Sequence, residues 1–278
     1  MRKLFYSILS VLAFNQLSAQ NLPNVQTASL LAPANVKVDG KLTEWGTQLR
    51  AYNHATDVFY NIANDADNLY VVVYATKPRV IDKIIDVGIT FVVNTAGKKD
   101  NDAKGNMSFT YPHIDVTNGQ RIIINAGKKV KSAIPIPIRP TDADSVYNPI
   151  PANELDAHIK AANSLIAGNA KIITVSGISE IPDDTLSIYN QEKIRAAAAF
   201  DKDGNYTYEL AIPLKYLHLQ VTAGIEKLNY SIRIDGRLVH PKHGMKTMYI
   251  YPNGYAQDVD QDLDATTDFW GEYALAKK

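Results

Sequence analysis

Along most of the chain, hydrophobic residues alternate with polar ones or form short apolar blocks, and both patterns predict β-strands. Two strands are predicted at residues 56–61 and 69–75. The connection between them, residues 64–68, consists almost entirely of Asn and Asp, which favour turns. The block 70–74 is apolar throughout, which is typical of a central strand that is buried on both faces.

The same patterns predict further short strands over the rest of the chain. These are residues 36–38, 87–94, 107–111, 121–125, 171–176, 194–200, 206–212, 228–234, 248–251 and 273–275. Turn formers separate many of them, such as the Asp-Gly-Asn at 203–205. Short strands with frequent turns predict an all-β fold with minor helical insertions, an immunoglobulin- or jelly-roll-like antiparallel β-sandwich.

Two segments depart from the strand pattern. Residues 78–85 predict a helical turn. Residues 153–168 predict a helix, because one apolar stripe recurs at helical spacing and Gly168 follows it as a stop signal. The stripe consists of Leu155, Ile159, Ala162 and Ile166. We interpret this helix as an insertion in one domain that spans residues 21–278.

The first twenty residues are typical of a secretory signal peptide. Arg2 and Lys3 supply the positive charge, residues 4–14 form an apolar segment too short to span a membrane, and Ala19 is a small residue before the expected cleavage point. We therefore expect the protein to be exported, to the periplasm or the extracellular space. No later segment approaches the ~20 apolar residues of a membrane-spanning helix, so the mature chain is expected to lack an integral membrane segment.

Composition excludes several classes of function. The 278 residues contain no cysteine, which rules out disulfides, thiolate metal sites and a cysteine nucleophile. Lys plus Arg number 29, as do Asp plus Glu, so the formal net charge is zero. A neutral chain is not expected to bind nucleic acid as its main partner. The aromatic residues are weighted toward tyrosine, with 16 copies against two tryptophans.

Three motifs carry a resemblance to a known family. Residues 38–45 read V-D-G-K-L-T-E-W, residues 204–213 contain a G-x-x-x-x-E-x-A-I-P strand, and residues 268–273 read D-F-W-G-E-Y. Together these resemble the family 9 carbohydrate-binding modules and their DOMON-like relatives in exported Bacteroidetes proteins. The resemblance implies a β-sandwich that binds an oligo- or polysaccharide and does no chemistry. Type members clamp a sugar between two tryptophans, and Trp45 and Trp270 are either such a clamp or core residues.

Tyrosines on predicted loops are the alternative aromatic platform for a sugar. Tyr249, Tyr251 and Tyr255 surround a Pro-Asn-Gly loop, and Tyr52 and Asn53 precede the first predicted hairpin strand. Tyrosine combines a flat ring with a hydrogen-bonding hydroxyl group, which suits ligand contact. The same residues are also common on the edges of sandwiches without any ligand.

Four alternating aspartates form a candidate calcium site. Asp258, Asp260, Asp262 and Asp264 present the spaced carboxylate oxygens that calcium prefers. The segment is not an EF-hand, because the sixth and twelfth positions are Leu263 and Phe269 where glycine and glutamate are required. Some members of the resembled family bind structural calcium. The alternative is a solvated acidic loop.

A haem or other transition-metal site is a further alternative. Distant relatives of the resembled family hold haem through methionine or histidine, and one segment concentrates both residue types: His240, His243, Met245 and Met248. A surface loop that contains two histidines is the competing interpretation.

No catalytic motif supports an enzyme. The chain lacks G-x-S-x-G, H-E-x-x-H, a P-loop and a strand followed by G-x-G-x-x-G. We therefore expect a non-catalytic exported protein that binds a glycan through loop aromatics and carboxylates. The alternative is a structural or assembly protein of the cell envelope that uses the sandwich without sugar binding, and a haem-binding module is the third candidate.

Overall fold

The computed structural model describes residues 22–46, 49–113, 153–221, 226–236 and 265–277. These residues form a β-sandwich of two antiparallel sheets, as the sequence predicts. The first sheet has five strands in the order β1-β2-β3-β9-β8. Their bounds are β1 Ala51–Asn53, β2 Val58–Asn64, β3 Asn68–Ala75, β8 Arg195–Phe200 and β9 Tyr206–Pro213.

The second sheet has six strands in the order β11-β10-β4-β5-β6-β7. Their bounds are β4 Ile89–Asn94, β5 Met107–His113, β6 Ile172–Ser176, β7 Thr185–Ser187, β10 Lys227–Ile234 and β11 Thr267–Ala274. The side chains that each sheet directs inward form one continuous core between the sheets. Along β9, for example, Tyr206, Tyr208 and Leu210 all lie in this core, as their alternation predicts.

The prediction of a central apolar strand is confirmed. β3 pairs with β2 on one side and with β9 on the other. Its residues from Leu69 onward are buried on both faces. Val71 and Val73 face the core between the sheets, whereas Val72 and Tyr74 lie in a smaller apolar cluster on the outer face. The N-terminal segment covers this outer face through Leu42 and Trp45.

Four strand predictions need correction or lie outside the described residues. Residues 36–38 do not join either sheet, although their burial does alternate. The segment leads into the turn at Asp39 and Gly40, and its hydrophobic pattern therefore reflects partial burial without hydrogen-bonded pairing to a strand. The predicted strand at 273–275 is the end of the longer β11. The predictions at 121–125 and 248–251 lie outside the described residues.

Both predicted helical segments are helices. α1 spans Pro78–Val87, and Pro78 suits its first turn because the missing N–H would have no partner there. α2 spans Leu155–Asn169, and Ile159, Ala162 and Ile166 are its buried residues. Within the described residues, no helix is long and apolar enough to cross a membrane.

α2 protects the edge of the five-stranded sheet. β8 is an edge strand, and its Phe200 pairs with the side-chain amide of Asn163 on α2. The Phe200 N–H donates to Asn163 Oδ1 at 2.7 Å, and Asn163 Nδ2 donates to the Phe200 carbonyl at 3.0 Å. The amide therefore reproduces the two hydrogen bonds of a neighbouring strand and blocks further pairing at this point.

We predict that Asn163→Ala lowers the free energy of unfolding by about 1–3 kcal/mol, because two backbone groups lose their partner. Amide hydrogen exchange at Phe200 should accelerate in the same variant. The matched control is Asn169→Ala on the exposed end of α2, where the side chain bonds only to its own helix. Equal exchange at Phe200 in both variants would contradict the edge-protecting role of Asn163.

The motif residues of the sequence meet at the buried carboxylate of Glu209. The N–H groups of Asp39 and Gly40 donate to Glu209 Oε2 at 2.8 and 2.7 Å. Trp45 Nε1 donates to Glu209 Oε1 at 2.7 Å. Glu209 is only 1% exposed, so these three donors replace the water that its carboxylate loses. We call this group, Asp39, Gly40, Trp45 and Glu209, the Glu209 clamp.

Gly40 is required at its position for two reasons. Its φ of +79° lies in the left-handed region, where only glycine is free of strain. A Cβ at Gly40 would also lie 2.7 Å from the backbone carbonyl carbon of Ala198 on β8. The turn of the opening motif therefore sits directly on the sheet, and the Glu209 clamp holds it there.

Candidate functional site

The outer face of the six-stranded sheet carries rows of small polar side chains. The register places Thr90, Thr110, Thr174 and Thr185 side by side across β4, β5, β6 and β7. A second row pairs Ser108 with Ser176, whose hydroxyl oxygens are 3.1 Å apart. We call the members of these rows on β5 to β7, together with Ser187 at the end of β7, the hydroxyl strip: Ser108, Thr110, Thr174, Ser176, Thr185 and Ser187.

The hydroxyl strip is accessible, unlike the middle of this outer face. Ser176, Thr185 and Ser187 are exposed, and the other members of the strip are half-buried. On the neighbouring strands β4 and β10, by contrast, Thr90 is 3% exposed and Ser231 is fully buried. A ligand on this face therefore reaches the hydroxyl groups on β5 to β7.

Tyr189 is an exposed aromatic side chain beside the hydroxyl strip. It lies two residues beyond the end of β7 and is 72% exposed, the highest value among the large apolar side chains of the described residues. Lys171 steadies it, with the ammonium group 3.3 Å from the Tyr189 hydroxyl and 5.5 Å from the ring centroid. The Tyr189 N–H donates to Ser187 Oγ at 3.2 Å, which holds this residue beside the strip.

Trp270 lies on the same outer face at the opposite edge of the sheet. It follows Phe269, which points into the core, and it pairs with Ser231 across the ladder. Trp270 is half-buried. The sequence allowed Trp270 to be a core residue, but among the described residues the core contains Phe269 and Tyr273 from β11 and not Trp270.

The loop between β4 and β5 packs beside Trp270. Asn229 Nδ2 donates to the Lys98 carbonyl at 3.2 Å, and Asn101 Nδ2 donates to Asp268 Oδ2 at 2.6 Å. The buried side chain of Asn94 accepts from the N–H groups of Ala96 and Lys98 at 3.0 Å. These bonds fix the loop against the sheet.

Near the Trp270 edge of this face, two basic side chains are paired with carboxylates, whereas Lys171 at the other edge contacts Tyr189. Lys227 contacts Glu272 at 2.7 Å, and Arg233 contacts Asp235 at 3.0 Å. The hydrogen bond and charge of Lys227 lower the pKa of Glu272. The hydroxyl strip itself consists of neutral Ser and Thr groups, each of which both donates and accepts hydrogen bonds.

Trp45 is committed to the fold. Its indole N–H belongs to the Glu209 clamp, and its ring meets Tyr70 edge-on at a centroid distance of 6.3 Å. Trp45 and Trp270 lie on the outer faces of different sheets. The structure therefore does not bring the two tryptophans together as a sugar clamp.

Tyr52 and Asn53, the described members of the expected tyrosine platform, are buried on β1. The Tyr52 ring packs on Phe59 at 4.6 Å, and its hydroxyl donates to Asp57 at 2.7 Å. Asn53 is fully buried and accepts from the N–H groups of Ala55 and Thr56. Both side chains shape the turn between β1 and β2, with 5% and 0% of their surface exposed.

The same pairing of tyrosine with aspartate recurs on the outer face of the five-stranded sheet. Tyr70 donates to Asp65 and Tyr74 donates to Asp201, each at 2.8 Å, and both aspartates lie in hairpin turns. Burial and Asp65 raise the pKa of Tyr70, so its hydroxyl stays a donor. Tyr52, Tyr70 and Tyr74 therefore each connect a strand to a turn.

The remaining candidates from the sequence lie outside the described residues. This holds for Tyr249, Tyr251 and Tyr255, for the calcium candidates Asp258, Asp260, Asp262 and Asp264, and for the haem candidates His240, His243, Met245 and Met248. Over the described ranges, no group of three or more His, Asp or Glu side chains converges on a metal position.

Sequence reasoning missed the hydroxyl strip, although a signal was present. Residues 107–111 and 173–176 alternate an apolar residue with Ser or Thr, which marks one polar face on each strand. Only the cross-strand register shows that these polar faces are adjacent. No local sequence pattern marked Tyr189 as an exposed side chain beside these strands.

Comparison with protein-family models and with curated proteins finds no match for this chain.

Proposed function

We propose that the chain is an exported, non-catalytic protein that binds a neutral oligo- or polysaccharide on the outer face of its six-stranded sheet. The observation that carries the proposal is the accessible hydroxyl strip with the exposed Tyr189 at its border. Trp270 adds a second aromatic side chain on the same face. Export rests on the signal-like N-terminus.

The chemistry of this face suits sugars. The apolar face of a sugar ring packs against an aromatic ring, while its hydroxyl groups need partners that both donate and accept hydrogen bonds. Serine and threonine hydroxyl groups provide both functions. Tyr189 supplies the ring, and its contact with Lys171 restricts its motion before a ligand arrives.

At the Trp270 edge of this face, charge pairing favours a neutral sugar over an acidic one. Lys227 and Arg233 each contact a carboxylate. An anionic glycan would have to compete with these ion pairs, whereas a neutral glycan needs only hydroxyl groups and an aromatic surface.

The Glu209 clamp supports the resemblance to family 9 carbohydrate-binding modules. The opening motif and the E-x-A-I-P strand lie about 170 positions apart, and Glu209 joins them through three hydrogen bonds. A shared contact of this kind explains why both motifs occur together in one sandwich. Membership of that family remains our proposal.

Isothermal titration calorimetry with matched oligosaccharides tests the proposed function. The panel contains neutral gluco-, xylo- and manno-oligosaccharides beside uronate-containing and sulfated ones. We expect binding to at least one neutral member, and weaker binding to its acidic counterpart. Absence of binding to every member at millimolar concentration would contradict the function and favour the envelope assembly role. Repeating the titration with calcium and with EDTA tests the proposed structural calcium.

Removing the aromatic side chains of this face should weaken binding without unfolding the protein. We predict that Tyr189→Ala and Trp270→Ala each lower the affinity about tenfold or more, which corresponds to ~1.4 kcal/mol. The matched control is Leu31→Ala, because Leu31 is also exposed, at 45%, but lies beside Asn64 of the five-stranded sheet. Unchanged affinity in both aromatic variants would place the sugar elsewhere.

A further inference from the structure

Two tyrosine hydroxyl groups lie deep in the core without a hydrogen-bond partner. Tyr206 and Tyr208 occupy alternate positions of β9 and both point between the sheets. Their residues are 1% and 0% exposed. Neither hydroxyl oxygen bonds to a protein atom of the described chain.

The other buried tyrosines of the described residues all have partners. Tyr60 and Tyr230 share a hydrogen bond of 3.0 Å, and Tyr60 also accepts from Gln26 N–H. The Tyr273 hydroxyl has two acceptors for its single proton, Leu30 O at 2.9 Å and Asn64 Oδ1 at 2.8 Å. Most buried tyrosine hydroxyl groups therefore have a hydrogen-bond partner within the protein. The two exceptions lie two positions apart on β9.

A third hydroxyl group approaches from the opposite sheet. Tyr111 on β5 packs near Tyr208, with ring centroids 6.2 Å apart. Its hydroxyl donates to the carbonyl of Ala170, just after the end of α2, over a long 3.3 Å. That oxygen keeps its capacity to accept. Two hydroxyl groups from β9 and one from β5 thus belong to neighbouring side chains of the core.

We propose that Tyr206 and Tyr208 bind ordered water inside the sandwich, beside Tyr111. A buried hydroxyl without a partner costs free energy, and internal water is the usual partner of buried polar groups that the protein leaves unsatisfied. Water suits these groups because it donates and accepts, and because it carries no charge into the core.

The ionisation of the tyrosines is consistent with a neutral ligand. Burial raises the pKa of Tyr206 and of Tyr208, and the neighbouring Tyr111 raises both further. Burial also raises the pKa of Tyr111, to about 12. All three side chains are therefore uncharged hydroxyl groups at neutral pH, able to donate to water and to accept from it.

Thermal unfolding of the full mature chain tests the proposal. Removing a water-bound hydroxyl loses a hydrogen bond, so Tyr206→Phe and Tyr208→Phe should each lower Tm by about 2–6 °C. Removing a truly unpaired hydroxyl would instead raise Tm, and that result would overturn the proposal. Tyr189→Phe is the matched control, since its hydroxyl is at the surface, and its Tm should stay unchanged.

A high-resolution crystal structure supplies the second measurement. We expect a water-sized density peak within about 2.7–3.2 Å of the Tyr206 and Tyr208 hydroxyl oxygens. Dry hydroxyl groups, or a peak larger than water, would overturn the assignment. The test does not depend on sugar binding, so its outcome is separate from that of the proposed function.

Discussion

Glu209→Ala should lower the free energy of unfolding by about 3–5 kcal/mol, the largest effect that we expect from a single substitution. The alanine leaves three buried or partly buried N–H donors, from Asp39, Gly40 and Trp45, without an acceptor. It also removes the hydrogen bonds that hold the opening motif on the five-stranded sheet. Denaturant unfolding monitored by circular dichroism measures the change.

The control for this variant is Glu272→Ala. Glu272 is exposed and forms only a surface ion pair with Lys227, which contributes little to stability. We expect this control to unfold like the wild type. If Glu209→Ala were no less stable than Glu272→Ala, the clamp would not be the contact that holds the opening motif.

The pH dependence of stability gives the Glu209 clamp a second readout. Burial raises the pKa of Glu209 above its usual 4.5, against the three N–H donors that lower it. Since the folded state then holds the proton more tightly, the contribution of Glu209 is full below pH 4.5 and declines as the pH rises through the folded pKa. The stability difference between wild type and Glu209→Gln should therefore shrink with rising pH. If this stability difference instead grew with rising pH, the pKa of Glu209 would be lowered in the folded state, contrary to our expectation.

Gly40→Ala should have the second largest effect, a loss of about 2–4 kcal/mol. The new methyl group combines a strained positive φ with an approach of 2.7 Å to the Ala198 backbone. Because backbone cannot move aside as a flexible side chain does, the turn must lift away from β8. The same step lengthens the hydrogen bond from Gly40 N–H to Glu209.

Gly46→Ala is the control that separates the strain of a positive φ from the steric clash with the sheet. Gly46 has a similar φ of +73°, but a Cβ there would meet nothing within 4 Å. This control should lose only the ~1 kcal/mol that a positive φ costs. If both variants lost the same free energy of unfolding, the close contact between the Gly40 turn and β8 would not contribute to the effect.

Much of the fold follows from local pattern. The apolar block of β3 identified the centre of its sheet, and the stripe on α2 identified the residues that this helix buries. Both signals depend on periodicity within one element, which the sequence displays directly. The strand prediction was wrong at residues 36–38. Alternation of apolar and polar residues indicates which side chains are buried, but it does not show that the backbone pairs with another strand.

The candidate site was less accessible to sequence reasoning, because it depends on contacts between distant residues. The hydroxyl strip exists only when β5, β6 and β7 are in register. Tyr52 looked like a ligand residue because no local signal reveals its bond to Asp57 or its burial against Phe59. The role of Trp45 likewise required Glu209, 164 positions away.

The most direct test of the account is a residue-resolved NMR titration of the mature protein with the neutral oligosaccharide that binds best. The account predicts that shift changes concentrate at the hydroxyl strip, Tyr189 and the Trp270 indole. The Trp45 indole, which is held in the Glu209 clamp, should serve as the internal reference and stay unchanged. Changes centred on Trp45 and the outer face of the five-stranded sheet would contradict the proposed site.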